Sequence, residues 1–126
     1  MNHKVVLIIE DDFDITQALQ ILLEAEGYKV HTAENGEDGL RVLDTLPFPC
    51  LILVDFFMPV MDGQEFLTRL KEHRGDTVAA LPIVVMSAAA RHSQVEKIAA
   101  DFGRAFIKKP IDIETLLKLV SSHCKE

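Results

Sequence analysis

Five short apolar runs, Val5 to Ile9, Tyr28 to Ala33, Leu51 to Val54, Pro82 to Met86 and Arg104 to Ile107, alternate along the chain with five segments of helical period. Several runs are nearly continuous in Val, Ile and Leu, the pattern of strands covered on both faces. Between them, Ile15, Ala18, Leu19, Leu22 and Leu23 follow the i, i+3, i+4 spacing of one helix face. So do Val95, Ile98, Ala99 and Phe102, and then Ile113, Leu116, Leu117 and Val120. Strands alternating with helices predict a parallel sheet, because successive parallel strands need right-handed crossovers that lay helices on both faces. The expected fold class is α/β, an open doubly wound five-stranded parallel sheet with five flanking helices.

Local signals agree with the faces. Asp14 with Gln17, Asp62 with Glu65 and Ser93 with Glu96 each set a capping side chain three residues before a Glu or Gln. Gly27 and Gly103 then stop the first and fourth helices. The second helix, about Gly36 to Leu46, contains Gly36 and Gly39, each costing up to ~1 kcal/mol relative to Ala. "HRGDTVAALP" reads as a loop, and no repeat, linker or low-complexity segment interrupts the alternation.

With 126 residues, 48% hydrophobic and 26% charged, residues 1–126 are expected to close one core as a single domain, with no output segment after Glu126. No apolar run approaches the roughly 20 residues of a membrane span. The N-terminus "MNHKVVLIIEDD" meets acids too early for a secretory signal, so a cytoplasmic location is expected. The net charge of -7 argues against a nucleic-acid surface, which needs clustered Lys and Arg. Cys50 and Cys124, the two cysteines, lack metal spacing and are read as reduced thiols, one in the core and one near the terminus. The five histidines are scattered without metal spacing and read as solvated surface. Met58 and Met61 read as loop packing.

In open parallel sheets ligands gather at the carboxyl ends of the strands. The first strand ends in Glu10, Asp11 and Asp12, the third in Asp55, the fourth at Ser87 and the fifth at Lys108 and Lys109. Asp55 lies within "LILVDFFMPVMDG", the most apolar stretch of the chain, where an unpaired charge would be costly. Glu10, Asp11 and Asp55 with the single ammonium of Lys109 leave an excess of negative charge. A divalent hard cation would close it, and Mg²⁺ suits an all-oxygen set that includes a phosphate. Such a group has the parts for phosphoryl transfer to a carboxylate. Asp55 attacks, Mg²⁺ and Lys109 neutralise the incoming oxygens, and Ser87 donates a hydrogen bond. Positioning and electrostatics then suffice for the domain to promote its own phosphorylation, without being a conventional enzyme.

At these residues the chain resembles the receiver domains of two-component response regulators, of the chemotaxis-type single-domain form. The resemblance runs from "VLIIEDD" through "VDFFMPVMDG" and "VVMSA" to "FIKKP". It implies the flavodoxin-like strand order 2-1-3-4-5, with Asp55 as phosphoacceptor. Asp11 would be a direct Mg²⁺ ligand, Glu10 its partner through water, and the backbone carbonyl of Phe57 a third protein oxygen. Ser87 resembles the residue that contacts the phosphoryl group, and Lys109 the lysine of a Lys-Pro pair whose peptide is implied to be cis. A histidine kinase or phosphotransfer protein is the implied donor. Slow dephosphorylation is implied too. Phosphorylation would draw Ser87 inward, turn Phe106, and alter the face of the fourth helix, fifth strand and fifth helix. A downstream protein would read that face, and the family's habit allows homodimers through it.

Phe57, two residues after Asp55, is bulky and apolar where other members carry polar residues, and Ala89, two after Ser87, is small. Phe106 lacks the hydroxyl of the Tyr common there. Three other readings compete. A haloacid-dehalogenase-type phosphatase also uses an Asp nucleophile with Mg²⁺, but wants a second Asp where this chain has Phe57. A flavodoxin-like FMN carrier needs a phosphate loop where this chain has "EDDFD", which would repel phosphate. A receiver that serves only as a docking module, independent of phosphorylation, normally lacks part of the acidic set or the Lys, and neither is missing.

Overall fold

The computed structural model describes residues 4–46, 48–88, 100 and 105–124. Five parallel strands, β1 (Val5–Ile9), β2 (Lys29–Ala33), β3 (Leu51–Asp55), β4 (Ile83–Ser87) and β5 (Ala105–Lys108), form one sheet in the order β2-β1-β3-β4-β5. Strand residues alternate between two cores. On one side Leu7, Ile9, Ile52, Val54 and Val85 pack with α2 (Gly36–Thr45) and α3 (Gly63–Arg74). On the other Val6, Ile8, Leu51, Leu53, Val84 and Met86 pack with α1 (Phe13–Ala25) and the C-terminal helix Ile113–His123. The fourth expected helix, with Ser93, Glu96 and Gly103, lies outside the described residues, as do Ala89, His3 and His92.

The helix ends are set by backbone groups that need partners. Asp62 caps α3 as expected, its Oδ1 accepting from Glu65 N–H at 2.9 Å. Gly27 ends α1, with its N–H donating to Glu24 O and Tyr28 N–H to Leu23 O. At the start of α1 the expectation is corrected. Asp12, not Asp14, is the cap, accepting from Asp14 N–H at 3.0 Å and Ile15 N–H at 3.3 Å. Asp14 falls inside the first turn, where its charge still suits the positive end of the helix.

"HRGDTVAALP" is a loop only in part. His73 and Arg74 complete α3, and Gly75–Ala80 form a 3-10 helix. Val78 and Leu81, three apart and so on one side of such a turn, are buried in the core beside α3. Two buried apolar residues among eight polar or small ones are too few to register as a periodic face.

Cys50 and Cys124 are joined in a disulfide, which corrects the expectation of two reduced thiols. They lie 74 residues apart in the chain with Cα atoms 5.0 Å apart. Cys50 immediately precedes β3, and Cys124 ends the C-terminal helix, its N–H donating to Val120 O at 2.8 Å. Only the sheet order brings these two ends together, and no cysteine spacing could have announced it.

The glycines placed against the sheet permit close approach. Gly39 faces Ile9, so α2 lies near β1 despite its weak intrinsic helicity. At Gly63 a Cβ would stand 2.8 Å from Phe56 Cα and 2.9 Å from Asp55 O, while the Gly63 N–H donates to Phe56 O at 2.8 Å. Helix propensity alone would have Gly63→Ala stabilise the protein by up to ~1 kcal/mol. The backbone contact reverses the sign. Gly63→Ala should destabilise by about 1–3 kcal/mol, read as a lower urea midpoint at unchanged m-value.

Candidate functional site

All five strands run the same way, so their carboxyl ends share one edge of the sheet. There the structure gathers Glu10 after β1, Asp55 at the end of β3, Ser87 at the end of β4 and Lys109 after β5. Glu10, Asp55 and Ser87 are buried. Asp11 sits exposed at the rim. One carboxylate oxygen from each of Glu10, Asp11 and Asp55 lies within 4.8 Å of the others.

Lys109 answers for the two buried acids. Its Nζ donates to Glu10 Oε1 at 2.7 Å and to Asp55 Oδ2 at 3.2 Å. Burial works against its ammonium, but the Glu10 hydrogen bond and the charges of Asp55 and Glu10 outweigh that loss and hold its pKa above the ordinary lysine value. Lys108 is exposed, which places Lys109 rather than its neighbour in the group. The Lys109 N–H donates to Ser87 O at 2.9 Å, so the two residues are spaced by the sheet itself. The Lys109–Pro110 peptide is cis.

Asp11 is raised above its ordinary carboxylate range, first by loss of hydration and then by the hydrogen bond and charge of Glu10. Its backbone N–H and Lys109 oppose this in part. Three carboxylates converge on one ammonium, and the charge of Glu10 is a lesser addition to what lost hydration and its hydrogen bond do to the rim carboxylate.

Support for Glu10 comes from residues that periodicity does not single out. Glu10 Oε2 accepts from Asp12 N–H at 3.1 Å. The Thr16 hydroxyl, buried within α1, donates to Asp12 O at 3.1 Å and to Glu10 O at 3.4 Å. A Thr one turn into a helix whose cap follows an acidic strand end is the signal that could have found it.

On the far side, the loop after Asp55 turns back through Gly63. Phe56 is buried, its N–H donating to Met86 O, and its ring meets the half-exposed Phe57 edge-on at 4.9 Å. Met61 is buried and Met58 packs against the same core, as loop packing requires. Val60 holds φ at 68° while 73% exposed. A β-branched residue in that region carries roughly 1–2 kcal/mol of backbone strain. Phe106 lies in β5, but its side chain is outside the described residues.

The chain matches the family model described as the response regulator receiver domain over residues 6–121. It belongs to the response regulator receiver family. Among relatives, it is 32% identical to an uncharacterized 14.6 kDa protein of Leptolyngbya boryana, over 94% of this chain and 88% of that one. It is also 32% identical to the transcriptional regulatory protein YkoG of Bacillus subtilis, over 100% of this chain and 53% of that protein, so it spans about half the length of that relative. The structure of the chemotaxis protein CheY4 of Vibrio cholerae superposes with a TM-score of 0.82 at 27% identity, covering 94% of this chain and 97% of that one. Receivers are therefore the frame for the acidic group. Among the described residues, no helix is long and apolar enough to cross a membrane.

Because the folded protein holds the Asp11 pKa up, its charged form costs stability above that pKa, and the cost vanishes as pH falls below the unfolded value. Asp11→Asn should raise the melting temperature of the metal-free receiver at neutral pH, and the gain over wild type should shrink towards acid pH in parallel melts.

Proposed function

We propose that this receiver accepts a phosphoryl group on Asp55 from a histidine kinase or phosphotransfer protein, in the cytoplasm, and passes the change to a downstream protein. The single observation that carries this reading is the buried Asp55 carboxylate held at 3.2 Å by Lys109, at the same strand edge as Glu10, Asp11 and Ser87. An Asp55 oxygen attacks phosphorus as the bond to the donor breaks. With phosphohistidine as donor, the electron pair stays on the imidazole nitrogen. Lys109 stands ready to pair with an incoming phosphoryl oxygen, and the Ser87 hydroxyl to donate to another.

The donor set is all oxygen and close enough for one ion, which suits a hard divalent cation such as Mg²⁺. Glu10, Asp11, Asp55 and the Phe57 carbonyl would hold it. Bound there, Mg²⁺ supplies charge neutralisation on the phosphoryl oxygens. Signalling would run through Ser87 and Phe106 to the face of the fourth predicted helix, β5 and the C-terminal helix. We read residues 1–126 as one receiver domain, a reading that the match over residues 6–121 supports.

Intact mass after incubation with Mg²⁺ and acetyl phosphate tests the proposal. Wild type should gain one phosphoryl group, and neither Asp55→Asn nor a chelated sample should. A gain that persists in Asp55→Asn would move the acceptor elsewhere, and no gain on wild type would leave a docking module.

Phe57 follows Asp55 by two residues and exposes 48% of its surface. We assign it the part of keeping hydrolytic water from the acyl phosphate. Phe57→Asn should shorten the phosphoryl lifetime by about tenfold, roughly 1.4 kcal/mol off the barrier, timed as decay of the phosphorylated mass.

A further inference from the structure

The disulfide lies at the opposite end of β3 from Asp55, remote from the acidic group. Cys50 precedes the first residue of that central strand, and Cys124 closes the last turn of the C-terminal helix. Beyond this bond the helix is held by one apolar stripe. Only Leu116 and Val120 are fully buried along its length, with Leu117 and Leu119 partly so, and Thr115, Lys118, Ser121, Ser122 and His123 are exposed. Both cysteines are buried in the static fold, but Cys124 is the final residue of a turn whose other side chains face solvent. Helix ends are the least costly places for a helix to open, and opening that one turn would bare the Cys124 side of the bond while β3 keeps its pairing.

We propose that Cys50 and Cys124 form a redox latch, a disulfide that exchanges with small thiols and fixes or frees the end of the C-terminal helix. A glutathione thiolate attacks Cys124 Sγ in the frayed turn, a new S–S bond forms, and Cys50 leaves as thiolate. A second glutathione thiolate attacks the mixed disulfide and Cys124 leaves. The protein gains two electrons and two protons, and one glutathione disulfide is made. Oxidation by glutathione disulfide runs the same steps in reverse. With the latch open, the helix keeps the buried Leu116 and Val120 and the partly buried Leu117 and Leu119. That a partner would sense the difference rests on the signalling face proposed above, whereas the latch is measured on unphosphorylated protein and stands or falls without it.

The test combines alkylation with hydrogen exchange on the native full chain. Protein kept from reductant should lack alkylatable thiols. Excess reduced glutathione, without denaturant, should expose both, and oxidised glutathione should close them again. On reduction, amides of residues 117–124 should exchange faster by roughly tenfold or more, while those of β3 keep their protection. The double variant Cys50→Ser with Cys124→Ser should show the fast pattern under either condition. Reduction only in denaturant would make the bond a permanent staple and overturn the proposal. So would equal exchange of the helix end in both states, loss of protection throughout β3, or thiols that stay free in oxidised glutathione.

Discussion

One ammonium group holds the functional edge of this protein together. Glu10 and Asp55 are carboxylates buried at the ends of neighbouring strands, and two such charges without a counterion would oppose the packing that buries them. Lys109 reaches both from across the sheet. Its reach depends on the parallel order, which sets the ends of β1, β3 and β5 along one edge, and on the turn that follows β5. The arrangement is only partly compensated. One positive charge facing three acids leaves a site that still favours a cation, while Asp11 at the rim is raised first by lost hydration and then by the hydrogen bond and charge of Glu10.

Around this clamp the rest of the local structure has a definite task. Asp12 serves twice, capping α1 with its carboxylate and giving its N–H to Glu10, so the helix start and the acidic strand end are one hydrogen-bonded unit. Thr16 closes the same unit from inside the helix. Opposite, Gly63 lets α3 begin against the backbone of Asp55 and Phe56. Asp55 is thus flanked by two helix starts.

Much of this was legible in the sequence because it follows from short-range pattern. Continuous Val, Ile and Leu runs mark strands buried on both faces, helical spacing marks the crossovers, and acids, Ser and Lys at run ends must meet once the strands are parallel. What escaped has a different origin. Asp12 and Asp14 both have the chemistry of a cap, and which one serves depends on where Glu10 needs a donor. Val78 and Leu81 make a 3-10 turn whose burial is tertiary. The Cys50–Cys124 bond depends wholly on sheet order, which places the start of the third strand under the end of the last helix. The side chain of Phe106 and the fourth predicted helix lie beyond the described residues.

The backbone hydrogen bond from Lys109 to Ser87 ties the spacing of two site residues to the main chain. Spacing between the groups that would meet a phosphoryl oxygen is inherited from the main-chain ladder of β4 and β5, not from any helix packed outside it. Substitutions on the outward helix faces leave that main-chain spacing untouched. With CheY4 of Vibrio cholerae the chain shares this fold at a TM-score of 0.82 although 27% of residues are identical.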